Sequence, residues 1–357
     1  NDFFCRGNAD LFYLYLHETS NTHITQRIKS IFDDITSLKQ YKNSNYRLRL
    51  YSGVALAHQD NEQFTIDELM THVMFALANA KTIHNHKIWF YNPELHKQEK
   101  MMNYIEAHMH QALENKEFIL YMQPKFNLKT KRITSAEALV RWMRQDGSLI
   151  YPNQFIPLFE HNGFCTQLDM YMFECVCKQI HEWIIQGIEP ISVSINQSKL
   201  LFYESDFIEN IKHIIQKYEV PSHLITIEIL EGLALENIEE LNHKIKLLHD
   251  IGLKISLDDF GSGYSSLNIL GKLDIDELKL DQAFLKEASH YHKNTKIIME
   301  EIIQISKRMS ISTVIEGVET IKDHQFIETL GCHYGQGYYY DKPMNISEFN
   351  KKYMHKY

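Results

Sequence analysis

An eight-stranded α/β barrel whose first strand runs antiparallel to its neighbour is the fold predicted for residues 117–357, and three observations predict it. Short β-rich runs alternate with longer amphipathic stretches from residue 118 onward, the pattern of a βα-repeat architecture. Such runs number eight, which is what a closed barrel needs. Polar residues stand at or near the ends of these runs, where barrels of this kind carry their chemistry.

The runs are Phe118 to Phe126, Ile133 to Val140, Ile191 to Asn196, Leu224 to Ile229, Lys254 to Asp259, Glu277 to Asp281, Ser312 to Glu316, and a weak one at His333 to Tyr338. Only Asn127-Leu-Lys-Thr-Lys-Arg132 separates the first two, too short for a crossover helix, so these strands form a hairpin. Helices are predicted over Gln167 to Ile185, Asp206 to Lys217, Asn237 to Asp250 and Asn294 to Met309, whose apolar residues recur three and four apart. Residues 93–116 start at Pro93, a favoured first helical position, and run through Met101, Ile105, Met109 and Leu113 as a helical linker. Residues 1–92 have strand and helix signals of their own, ending near Lys87-Ile-Trp-Phe-Tyr91, and form a separate module.

With 357 residues, 44% of them hydrophobic, the chain can bury a sizeable core and more than one domain. Its formal charge of −9 disfavours a nucleic-acid polymer as partner and favours a small ligand. No apolar run approaches the roughly 18 residues of a membrane-spanning helix. The first residue is Asn, without initiator Met or signal-like segment, and the five cysteines show no CxxC spacing. The expectation is a cytoplasmic piece of a longer, membrane-anchored or sensor-linked protein. His84-Asn-His86, His108-Met-His110 and Cys175-Val-Cys177 have a spacing that points side chains apart on a helix, and they are set aside as metal or redox pairs. Tyr338-Tyr-Tyr340 is read as packing rather than as a base-stacking surface.

Asp258 and Asp259 end an apolar run and precede the glycine-rich turn Phe260-Gly-Ser-Gly-Tyr264. Two adjacent carboxylates at the mouth of a sheet call for a cation. Around the ring, Gln123, Glu137, Asn196, Glu228, Lys279, Glu316 and Gln336 occupy corresponding places, and nothing in folding requires such a group on every strand. Glu137, Glu228, Asp258, Asp259 and Glu316 would repel one another and any phosphate, whereas two divalent cations together with Lys279 bring the sum to about zero. All-oxygen donors, with Asn196 adding an amide oxygen and no strand-end histidine, select magnesium or manganese over zinc. Two such ions suit phosphodiester hydrolysis.

Glu137-Ala-Leu-Val-Arg-Trp142, Asp258-Asp-Phe-Gly-Ser-Gly-Tyr-Ser-Ser-Leu267, Leu278-Lys-Leu-Asp281, Glu316-Gly-Val-Glu319 and Gly335-Gln-Gly-Tyr338 resemble, in order, the motifs of the EAL family of cyclic di-GMP phosphodiesterases. The resemblance implies cleavage of one phosphodiester of cyclic di-GMP to give linear pGpG with two Mg2+ or Mn2+ ions. It implies that Glu137, Asn196, Glu228 and Asp258 hold one ion and that Asp258, Asp259 and Glu316 hold the second. Lys279 would orient the attacking water, with Glu316 as base and Glu137 also in the catalytic set. Gln123, Leu139, Arg141, Gln336 and Glu319 would lie on the substrate side. Phe260, Gly261, Ser262 and Gly263 would belong to a loop joining the metals to barrel-to-barrel homodimer contacts, with Glu231 as its anchor. Two departures stand out: Glu228-Ile-Leu-Glu-Gly232 replaces Glu-Ile-Thr-Glu-Ser, removing two hydroxyls relevant to loop control and turnover, and Gln123-Pro-Lys125 replaces Gln-Pro-Ile. A receptor that binds cyclic di-GMP without cutting it, and a hydrolase for another phosphodiester, stay open as alternatives.

Arg6-Gly-Asn-Ala-Asp-Leu-Phe12, Ser52-Gly-Val54 and Ala76-Leu-Ala-Asn-Ala-Lys81 similarly resemble motifs of the diguanylate-cyclase (GGDEF) family. Asn8 and Ala9 stand for its glycines and Leu11 for its Glu, while Asp10 remains ahead of Phe12. The resemblance implies a degenerate, partial domain without cyclase activity, with GTP binding left open. Asp2 falls at the family's inhibitory-site Asp, with its arginine partner expected upstream.

Overall fold

Asn127 makes the predicted hairpin possible: its Oδ1 accepts from the backbone N–H groups of Lys129 (3.0 Å) and Thr130 (2.8 Å), and Lys131 turns the chain at φ 58°. In the computed structural model the strands on either side, β1 (Phe118–Asn127) and β2 (Arg132–Met143), pair antiparallel from Phe118 opposite Trp142 to Asn127 opposite Arg132. The structure describes residues 2–7, 10–18, 20–38, 48–59, 62–82, 87–234, 237–261, 267–290 and 293–354. They fall into two compact units, Asn1–Asn103 and Tyr104–Tyr357.

In the larger unit the ring continues through β3 (Ser192–Asn196), β4 (Ile225–Leu230), β5 (Lys254–Phe260), β6 (Glu277–Leu280), β7 (Ser312–Ile315) and β8 (Tyr334–Gly335). Each strand from β2 to β8 is parallel to the next, and β8 closes the ring antiparallel to β1 through Gly335 opposite Phe126. The eight expected strands are therefore all present. Two further two-residue strands, Leu149–Ile150 on β2 and Met344–Asn345 on β1, were not expected, because two residues carry no periodicity.

Alternation along the strands sorts their side chains. Val193, Ile195, Ile227, Ile255, Leu257 and Leu278 are buried apolar positions, while Glu137, Glu228, Ser256, Asp258 and Lys279 stand between such positions and are buried too. The barrel lumen is thus polar at its mouth, with the apolar core outside the ring. Helices Cys165–Ile185, Phe207–Tyr218, Ile238–Ile251 and Lys293–Arg308 match the expected periods to within two residues. Asn237 caps the third by accepting from Glu240 N–H at 3.2 Å. Cys177 is buried and Cys175 partly so on the first of these helices, and all five cysteines are free.

Asp169 of that helix accepts the Ser198 N–H at 2.7 Å, just past β3, and burial pushes its carboxyl up to about 7. The unfolded chain gives up this proton near 3.8, the folded chain only near 7, so this group's contribution is fully present below the lower value and is lost as pH rises between them. Asp169→Asn is expected to remove that decline. Thermal midpoints of the variant and the parent across this window check it, and parallel curves would refute it.

The helix Pro93–Glu114 contains the point at which the units divide. Its second half is packed as part of the barrel unit: Ile105, Met109 and Ala112 are buried, and the Arg144 guanidinium lies 4.3 Å from the Tyr104 ring centre. His108 stacks on Tyr104 and His110 meets Phe164 edge-on, so the two rings serve different neighbours. His84 and His86 lie outside the described residues.

In the smaller unit, Phe3–Arg6 and Phe12–Tyr15 form an antiparallel hairpin, and Ser52–Val54 lies parallel to Ile88–Phe90. A Cβ at Gly53 would stand 2.3 Å from Leu77 N and 2.4 Å from Val73 O, so only glycine lets the helix Ile66–Thr82 lie directly on that strand. Ala76 lies at the same contact, its carbonyl carbon 2.9 Å from that Cβ, and both it and Ala80 are fully buried. At the tip of the hairpin Asp10 is exposed, Leu11 is half-buried and Phe12 is exposed, while Asn8 and Ala9 lie outside the described residues. Asp2 pairs with Arg27 and accepts the His17 N–H at 3.1 Å.

Candidate active site

Adjacent residues of a strand normally point to opposite faces, so two consecutive aspartates cannot both serve one site without a backbone irregularity. The structure supplies one at Asp259. The pairing of β5 with β6 slips by a residue between Leu257 and Phe260, and Asp259 sits in the left-handed region at φ 59°. Its N–H turns back to donate to Asp258 Oδ1 at 2.8 Å. Gly261 follows at φ 97°, where a Cβ would come within 2.8 Å of the Phe284 ring. Phe260 is buried, and Ser262 and Gly263 lie outside the described residues.

Lys279, from β6, is 1% exposed and sits among carboxylates from four other elements of the barrel: its Nζ is 2.7 Å from Glu316, 2.9 Å from Glu228, 3.0 Å from Asp258 and 3.5 Å from Glu137. Burial alone would favour the neutral amine, but these anions outweigh it and hold the ammonium charged well above the ordinary lysine range. Burial acts the other way on the acids. It pushes Glu137 up to about 7 and Glu316 up to about 8, and raises Asp258 and Asp259. Glu228 goes down to about 2 although it too is buried, because the ammonium groups of Lys279 (2.9 Å) and Lys125 (3.0 Å) both touch its oxygens. Asn196 Nδ2 donates to Glu137 Oε1 at 2.9 Å, and Gln336 Nε2 donates to the other Glu137 oxygen and to Gln123 Oε1 at 3.3 Å. Gly337 lets the chain pass beside Val318, whose carbonyl oxygen would be 2.2 Å from a Cβ there.

Two groups of acids emerge, Glu137 with Glu228 and Asp258, and Asp258 with Asp259 and Glu316; within each, one oxygen from every member lies within 4.8 Å of the others. Asp258 belongs to both. The donors are carboxylate oxygens, and among the described residues no histidine or cysteine joins either group, so the chemistry of the donor set fits hard divalent cations.

A cavity of about 290 Å³ opens over the groups and is lined by Gln123, Glu137, Asp258, Lys279, Glu316, Glu319 and Gln336, all expected, and by Gln282 and Tyr338, which were not. Gln282 Nε2 donates to Glu319 at 2.8 Å. The tyrosine run divides: Tyr340 stacks on Phe126 as packing, whereas Tyr338 is 60% exposed on the cavity wall. Leu139 and Arg141 do not line this cavity. The Arg141 guanidinium lies instead between the rings of Tyr121 and Tyr151, 5.4 and 5.5 Å from their centres. Glu231 opens the short helix Glu231–Ala234 and is buried, next to a Leu230 that is 42% exposed. Sequence reasoning assigned no role to Lys125; its signal was an ionisable residue two positions from Gln123, on the same face of β1.

The model of the EAL domain family matches residues 106–343. The chain is similar to the signaling protein YkoW of Bacillus subtilis, with 31% identity over 299 residues, covering 84% of this chain and 37% of that protein. It is also similar to the bifunctional diguanylate cyclase/cyclic di-GMP phosphodiesterase MucR of Pseudomonas aeruginosa, with 29% identity over 305 residues, covering 85% of this chain and 44% of that one. The chain thus spans less than half the length of these two relatives. Among solved structures, the PaMucR phosphodiesterase in complex with c-di-GMP superposes with a TM-score of 0.65 at 29% identity, covering 69% of this chain and 99% of that one. With the closed ring, its reversed first strand and an acid cluster at the strand ends all lying within the matched segment, the chain belongs to the EAL domain family.

Proposed function

We propose that this chain hydrolyses cyclic di-GMP to linear pGpG in bacterial second-messenger signalling, using two divalent cations, Mg2+ or Mn2+. The observation that carries the reading is the pair of acid groups sharing Asp258, with the Lys279 ammonium within 3.5 Å of four carboxylates. Glu137, Asn196, Glu228 and Asp258 would hold one ion, and Asp258, Asp259 and Glu316 the other. When bound, such ions polarise the phosphate and make water a competent nucleophile at neutral pH. Lys279, a charged donor with three N–H groups, orients the attacking water. Glu316, whose proton affinity burial has raised and whose Oε1 is 2.7 Å from Lys279 Nζ, is placed to take the water's proton. Gln336 and Gln123, joined to each other and to Glu137, fix the opposite wall against the substrate, and Glu319 borders it.

The test is incubation of the purified chain with cyclic di-GMP and either cation, with Glu137→Ala as control. Formation of pGpG by the parent alone is expected. Tight binding without pGpG would favour a receptor that signals through a partner. Arg141 stands outside the cavity but four residues beyond Glu137 on β2, held against two tyrosines, and would reach a phosphate of a substrate extending past the cavity; Arg141→Lys is expected to raise KM about tenfold with a smaller change in kcat, since lysine gives up the planar fork and the stacking. Steady-state kinetics check this.

The organisation that accompanies this reading is a degenerate, partial GGDEF-like domain over residues 1–92, a helix over 93–116 and the phosphodiesterase barrel over 117–357. Gly53 packed against Val73, Ala76 and Leu77, which brings two of the resembling motifs together, supports the first assignment, as does the alignment with MucR, whose 305 residues exceed what positions 106 to 357 can supply. Cyclase activity is not expected of it, and GTP binding at Asp10 is the open question a nucleotide titration answers. The free cysteines suit a reducing cytoplasm. A homodimer through the Asp258 to Leu267 region belongs to the same reading, and a monomeric mass under turnover conditions would count against it.

A further inference from the structure

Lys125 lies two residues beyond Gln123 on β1 and so faces the same lumen. It is 1% exposed. Its Nζ donates to Glu277 Oε1 at 2.8 Å and to Glu228 Oε1 at 3.0 Å, while Lys279 takes the other oxygen of Glu228 at 2.9 Å. Ser256 adds a hydroxyl to Glu277 Oε1 at 3.1 Å. Glu228 therefore carries an ammonium on each oxygen, and that of Lys125 is shared with Glu277, which belongs to neither acid group.

Packing does not call for this arrangement, since layers of branched apolar side chains ordinarily fill the interior of such a barrel. Its electrostatic effect on the cations above it, by contrast, has a definite sign. A fixed positive charge hydrogen-bonded to a ligand carboxylate weakens the field that the carboxylate offers a divalent ion, and an acid drawing that charge away restores it. We propose that Lys125 is a positioning residue and resident counter-cation: it fixes Glu228 through the oxygen that Lys279 does not take and lowers the site's affinity for divalent cations, with Glu277 setting how much of its charge reaches Glu228. The inference rests on Glu228 being a ligand, as the reading above has it.

Titration of Mn2+ alone into the full chain by calorimetry, with free Mn2+ followed by electron paramagnetic resonance, tests it without reference to turnover. Lys125→Met is expected to tighten Mn2+ binding by about tenfold, and Glu277→Gln, which leaves Lys125 wholly to Glu228, to weaken it by a few-fold. A merely structural ion pair would loosen the site in both variants. Equal signs, or no change in either, would overturn the proposal. If Lys125→Met does not fold, Lys125→Gln, uncharged and of similar length, takes its place: tighter binding supports the counter-cation, unchanged or weaker binding overturns it. A parent chain that takes no Mn2+ would overturn the metal centre and this inference with it, whereas a parent that binds while its variants move together overturns this inference only.

Discussion

Asp258→Asn is expected to lower pGpG formation by about a thousand-fold or more and to abolish binding of both cations, while Asp259→Asn costs chiefly one. The difference follows from where the two side chains stand. Asp258 is buried and offers an oxygen to each acid group, so an uncharged amide in its place takes a charge from both. Asp259 reaches only the group with Glu316, and only because the backbone bulges there. Mn2+ stoichiometry is the measurement, with values near zero and near one expected for the two variants against two for the parent. Equal stoichiometry in the two variants would remove Asp258 from its shared position. Asp259→Asn also tests the bulge, because asparagine tolerates the left-handed conformation and leaves the turn in place.

Lys279→Met is expected to have two effects of separate origin. Turnover falls by about a thousand-fold because the donor that orients water is gone. Stability falls as well, because three buried carboxylates and the half-buried Glu316 lose the ammonium among them, and removing one partner of a buried ion pair costs about 3–5 kcal/mol. The second effect depends on conditions: with chelator present the thermal midpoint drops sharply, and added Mn2+ recovers most of the loss. Thermal unfolding with and without chelator separates the two. A variant as stable as the parent in chelator would mean that Lys279 is not the counter-charge of the metal-free barrel.

The ring was legible because each strand buries alternate apolar residues under a helix, which imposes a short β-rich run between longer helical periods. The eighth strand was faint for a physical reason: Tyr334–Gly335 is held by ladder bonds to β7 and β1 rather than by side-chain burial along its length. The acids of the site were legible from their places at strand ends. Their ionisation was not, since Glu137 goes up and Glu228 down for reasons that depend on which lysine each one meets. Lys125 was legible as a departure from the family's Gln-Pro-Ile but not in its role, because its partners Glu228 and Glu277 lie more than 100 residues away in the chain. Gln282 escaped because it enters the cavity from a helix start, and Tyr338, read as packing, reaches the cavity wall because it stands in a loop beyond the strand ends.

Ring closure also has a consequence for biogenesis. β1 and β2 are neighbours in the chain and can pair as soon as they leave the ribosome, yet β1 needs β8, more than 200 residues later, for its other edge. Until then Gln123 lacks Gln336, and Lys125 must wait for Glu228 and Glu277. A nascent chain that stops short of β8 therefore holds an open sheet with its charges in water, a species for chaperones to guard. The wall that Gln123 and Gln336 form together is thus completed only when the last strand of the ring is in place.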